Sequence, residues 1–119
     1  MPWKFDKNKP ICPQIEETLC AEIANGKLEP NQRLLSVRDV AIKAGVNPNT
    51  VQKAFTELEQ MGLIYSVRGS GWFVSENTEL AKERADQLKR EKTKAFFSDM
   101  QTLGVSVDEI KKYVEEWEE

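Results

Sequence analysis

Between Ala44 and Asn49 the chain spells Gly45-Val46-Asn47-Pro48, and few stretches of four residues restrict a fold more tightly. Glycine takes the left-handed conformation that closes a helix, asparagine is a preferred N-cap, and proline fits the first helical position, where its missing N–H is not needed. One helix must therefore end, and another begin, with only Gly45 and Val46 between them. The upstream helix opens at Ser36, which with Asp39 forms a variant of the capping box, and Val37, Val40, Ala41 and Ala44 lie on one of its sides. Downstream, Val51, Ala54, Phe55 and Leu58 follow the i, i+3, i+4, i+7 pattern of a core-facing stripe. Asn49, Thr50, Gln52, Lys53 and Thr56 are left for the opposite or flanking faces.

The remaining elements read from the same rules. Ile11, Ile15, Leu19 and Ile23 recur every four residues and predict a first helix over 13–25, ended by Gly26, with a turn over 28–32. After Gly62, the runs 63–67 and 72–75 flank Arg68-Gly69-Ser70-Gly71 and read as a β-hairpin. Leu80, Ala81, Ala85, Leu88, Ala95 and Phe96 form an interrupted apolar stripe that predicts one long helix over 77–101. Leu103-Gly104-Val105 breaks it, and Ser106 with Glu109 caps a last helix with Ile110, Tyr113, Val114 and Trp117 on one face. The fold class expected is mainly α with a small β-hairpin: a winged helix-turn-helix over 1–75 followed by a helical tail over 76–119.

Composition narrows the function. No apolar run approaches the roughly 18 residues needed to span a bilayer, and Met1-Pro2-Trp3-Lys4 is unlike a signal peptide, so a cytoplasmic protein with no membrane association is expected. There is no histidine, and Cys12 and Cys20 lie eight residues apart without a second close pair. Both are expected to be reduced thiols packed along the first helix, with no metal site and no cofactor. Without a nucleophile–base pairing or a glycine-rich phosphate loop on a βα unit, an enzyme is not expected.

The net charge of −3 argues against a nucleic-acid partner until it is divided along the chain. Residues 1–75 carry +1 and residues 76–119 carry −4, and Arg33, Arg38, Lys43, Lys53 and Arg68 fall near turns or helix starts. Two short helices joined by two residues, the second polar on its outer face, match the arrangement that sets a recognition helix in the major groove. An ordinary helical hairpin, or a winged-helix module that binds protein, would share the spacing; the wing and the placement of Arg and Lys favour DNA.

The residues also resemble the DNA-binding domain of the GntR regulators over 10–75. The resemblance rests on Gln14-Ile15, Gly26-Lys27-Leu28-Glu29-Pro30, the run from Arg33 to Ala41, the run from Val46 to Phe55, Leu58-Glu59, Gly62-Leu63-Ile64 and the run from Gly69 to Val74. The chain departs from that pattern at Asn31, Leu35 and Trp72, where the family usually has Gly, Pro and Thr. Asn31 tolerates positive φ, and Trp72 is either a packing residue or a platform facing DNA. The resemblance implies that Arg38 contacts phosphate or a base edge and that Asn47, Asn49, Thr50, Gln52 and Lys53 face the groove, with Arg68 and Gly69 at the wing tip. Amides can pair with adenine, threonine can meet a thymine methyl, and glycine lets Arg68 approach a narrow groove closely. Asn47 is ambiguous, because capping alone would explain it.

The tail is too short for a metabolite-binding or aminotransferase-like domain and resembles the short YtrA-type branch, whose C-terminal helices make a homodimer. Leu88, Phe96, Phe97, Met100, Ile110, Tyr113, Val114 and Trp117 are the expected dimerisation residues; packing against the chain's own winged domain is the alternative. The expectation is thus a homodimeric repressor on a palindromic operator in double-stranded DNA. The operator, the regulated genes and any small-molecule effector are not written in the sequence.

Overall fold

The computed structural model describes residues 3–118. Its elements are α1 (Ile11–Ala24), α2 (Val37–Ala44), α3 (Pro48–Gln60), β1 (Ile64–Val67), β2 (Gly71–Val74), α4 (Glu79–Thr102) and α5 (Val107–Glu116). They fall into two compact units, Met1–Ala85 and Asp86–Glu119, with α4 beginning in the first and continuing in the second. The winged helix-turn-helix with a mainly helical composition is the fold expected from the sequence.

In the first unit α3 packs on both α1 and α2. Ile15, Leu19 and Ile23 of α1, Val40, Ala41 and Ala44 of α2, and Val51, Ala54, Phe55 and Leu58 of α3 are all buried. These are the stripes that the helical periodicity selects, and burying them is what makes short helices of modest propensity stable. Ala81 and Ala85 of α4 are buried as well, and the Cys20 thiol, fully buried, donates to the Ala81 carbonyl at 3.4 Å.

α1 starts at Ile11, two residues before the predicted start, on Pro10 and without a side-chain cap. Gln14 takes over the local anchoring: its amide nitrogen donates to the Asp6 carbonyl at 2.9 Å and its Oε1 accepts from the Asp6 N–H at 2.8 Å. The lead segment is thereby tied down, and the Lys7 ammonium donates to the Gly45 carbonyl at 2.8 Å.

β1 and β2 pair antiparallel, with Ile64 opposite Val74 and Val67 opposite Gly71. The Ser70 N–H donates to the Val67 carbonyl at 2.9 Å, and Gly69 at the third turn position has φ 82°, as a type II turn demands. A third segment, which the sequence offered only as a turn, runs along the other edge of β2. The Asn31 and Leu34 N–H groups donate to the Val74 and Trp72 carbonyls at 2.8 Å each, and Arg33 bridges to Phe73. Asn31 adopts φ 63°, doing here what glycine does elsewhere.

In the second unit, Ser106 caps α5: its hydroxyl accepts from the Glu109 N–H and donates to the Glu109 carboxylate, both at 3.2 Å. Two expectations for this tail are corrected. Trp117 lies past the end of α5 in extended conformation (φ −68°, ψ 132°) and is not on its face. Ile110, expected at a partner surface, is fully buried within the chain and serves internal packing.

Candidate nucleic-acid interface

The start of α3 is built from the cap outward. Asn47 sits in extended conformation and its side-chain oxygen accepts from the Asn49 N–H at 2.8 Å; Pro48 follows at the first helical position. Gly45 closes α2 in the left-handed conformation with φ 66°, so the chain turns between the helices without side-chain strain. The capping oxygen satisfies one orphan N–H of α3, and the remaining free N–H groups leave a partial positive charge that favours phosphate.

On the first two turns of α3, Asn49, Gln52 and Lys53 are exposed and Thr50 half-buried, while Val51 and Ala54 between them are fully buried. Gln52 donates to the Thr56 hydroxyl at 3.3 Å, which orients its amide along the outer face. Arg38 is exposed in the first turn of α2, and Arg68 and Gly69 are exposed at the hairpin turn. Nothing lies within 4 Å of the position a Gly69 Cβ would occupy, so close approach to the turn is unobstructed.

Trp72 is resolved in favour of packing: it is half-buried and its ring meets Phe55 edge-on, with centroids 5.5 Å apart and planes at 79°. The wing is further tied to α3 by Glu59, whose carboxylate accepts from the Ser66 N–H at 3.0 Å and the Ser66 hydroxyl at 2.8 Å. Lys7 is an exposed cation at the turn between α2 and α3 that sequence reasoning missed, since no local pattern links it to Gly45.

Where α3 faces α1, the Cys12 thiol lies 3.7 Å from carboxylate oxygens of both Glu16 and Glu57. Burial, together with the two carboxylates, pushes the thiol up to about 11. Burial and the neighbouring Glu57 carboxyl raise Glu16 to about 7, whereas the interaction with Glu16, aided by Lys53, lowers Glu57.

In the tail, Phe96, Tyr113, Val114 and Trp117 are exposed and Leu88, Phe97 and Met100 half-buried. Phe96, Phe97 and Val114, with Lys92 and Lys111, line an open groove between α4 and α5. Among the described residues no helix is long and apolar enough to cross a membrane.

Residues 13–74 match the model of the family described as "Bacterial regulatory proteins, gntR family". The chain is 36% identical over 107 residues to the uncharacterised HTH-type transcriptional regulator YhcF of Bacillus subtilis, covering 90% of this chain and 88% of that one. It is 35% identical over 109 residues to the HTH-type transcriptional repressor YtrA of the same organism, covering 90% and 83%. A GntR family transcriptional regulator from Listeria monocytogenes shares the structure with TM-score 0.82 and 38% identity over 96% of this chain and all of that one. The DNA-binding domain of AraR, solved in complex with operator ORX1, superposes with TM-score 0.54 and 34% identity over 56% of this chain and 81% of that one.

Proposed function

Because the chain belongs to the GntR family of bacterial regulatory proteins, and is a DNA-binding transcriptional regulator and not an enzyme, we propose that it acts as a homodimeric cytoplasmic repressor of a palindromic operator. In this reading residues 1–75 form the DNA-binding domain and residues 76–119 the dimerisation tail. Asn49, Thr50, Gln52 and Lys53 read or touch the major groove, Arg38 contacts phosphate or a base edge, Arg68 with Gly69 holds the backbone or the neighbouring minor groove, and Asn47 sets where the reading helix begins.

The observation that carries the proposal is the division of α3 into a fully buried stripe and an exposed amide- and lysine-bearing face beginning at a capped, anion-favouring terminus. The complex of AraR with its operator supports a DNA-facing role for the corresponding fold. The exposed Phe96, Tyr113, Val114 and Trp117 support the dimer, since a small tail gains by covering so much apolar surface. A two-fold assembly would place two reading helices on half-sites about one helical turn apart. The acidic tail, carrying −4, would stand away from the phosphates.

Selection of genomic fragments by the purified protein tests this reading. A palindrome enriched upstream of a promoter is expected, with binding that weakens steeply as salt rises. Equal enrichment by a variant whose outer α3 residues are scrambled would overturn it.

A further inference from the structure

The cluster between α1 and α3 is unexplained by DNA recognition. Cys12 and Glu16 stand one helical turn apart on α1, Glu57 comes from α3, and one ligand atom of each lies within 4.8 Å of the other two. All three side chains are half-buried. We infer that Cys12, Glu16 and Glu57 form a binding site for one divalent transition-metal ion of the zinc class, clamping α1 to the recognition helix.

Three arguments converge on that ion. The first is distance: with bonds of about 2.3 Å to sulfur and about 2.0–2.2 Å to oxygen, a tetrahedral centre separates those ligands by roughly 3.5–3.7 Å. Cys12 Sγ lies 3.7 Å from one carboxylate oxygen of each glutamate, so the two sulfur–oxygen pairs already have that spacing. The second is donor chemistry: a thiolate beside two carboxylates suits zinc or cobalt, whereas magnesium and calcium demand oxygen alone. Three protein ligands leave a fourth position for water.

The third argument is electrostatic. Two carboxylates brought together from facing helices repel each other, and a cation between them removes that conflict. Spacing along the chain could not indicate this site, since Glu57 lies 45 residues from Cys12.

The full-length protein, reduced and stripped of metal with a chelator, is titrated with Zn2+ by calorimetry and with Co2+ by absorption. One ion per chain is expected, with a thiolate-to-cobalt charge-transfer band in the near ultraviolet and a rise in melting temperature. Cys12→Ser should abolish the band, and both it and Glu57→Gln should weaken Zn2+ binding at least about tenfold, comparable to losses seen when a site's supporting residues are removed. Cys20→Ser, at the buried thiol facing Ala81, should keep the band. Circular dichroism establishes that each variant is folded, and Glu57→Gln, which keeps the size of the side chain, keeps the test open should Cys12→Ser unfold. No bound ion, or binding that survives in Glu57→Gln and Cys12→Ser alike, overturns the inference whether or not the protein binds DNA.

Discussion

Replacing Asn47 with alanine separates the two duties that its position suggests. Its side-chain oxygen accepts from the Asn49 N–H at 2.8 Å, and the residue is otherwise exposed, so truncation opens no cavity and removes little buried area. The loss is therefore that of an N-cap, about 1 kcal/mol. The unit concerned spans Met1–Ala85. In a domain of that size 1 kcal/mol lowers the melting temperature by about 4–8 °C. Asn47→Ser restores an oxygen at the cap and should recover the stability to within roughly 0.3 kcal/mol, serine and asparagine being near-equal caps. Thermal and urea melts followed by circular dichroism measure both variants. Operator affinity, measured by fluorescence anisotropy where all three proteins are folded, should be the same for Asn47→Ser and the wild type. A serine variant as unstable as the alanine one would refute the capping argument, and a stable serine variant with weakened binding would make Asn47 a reader in its own right.

Arg38→Ala should cost about 1–3 kcal/mol of operator affinity with an unchanged melting temperature, and should flatten the dependence on salt if the guanidinium meets phosphate. Phe55→Ala removes a fully buried ring that meets Trp72 edge-on and should cost about 3–5 kcal/mol in urea unfolding. Val114→Glu puts a charge on the exposed face of α5; sedimentation should shift from dimer to monomer while the melt of the winged unit is unchanged.

The parts of this fold that local chemistry controls were legible in the sequence. Ser36, Gly45, Asn47 and Ser106 mark helix ends through their own conformational and hydrogen-bonding preferences, and each acts where it was read. The buried stripes of α1 and α3 followed from periodicity for the same reason. What escaped depends on partners distant in the chain. The strand-like run from Asn31 to Leu34 exists because Trp72 and Val74 accept its N–H groups, and no alternation of apolar residues announces it. Trp72 could be assigned to packing only once Phe55 was placed beside it. Periodicity carried the last helix one residue too far, onto Trp117, because no glycine or proline marks its end. Of the candidate DNA-facing residues, the outward set on α3 was readable from the helical wheel. The approach of Cys12 to Glu57 was not, because nothing local encodes it.

The bond from Lys7 to the Gly45 carbonyl bears on how reading heads could be exchanged between relatives. The stretch matched to the family begins at residue 13, which makes that position an inviting splice point for a chimera. A head cut there would leave behind the lysine that fastens the bend between α2 and α3, along with Asp6, whose backbone Gln14 grips. Grafts that carry the preceding leader should inherit the bend intact, so the portable module is longer than the stretch by which it is recognised.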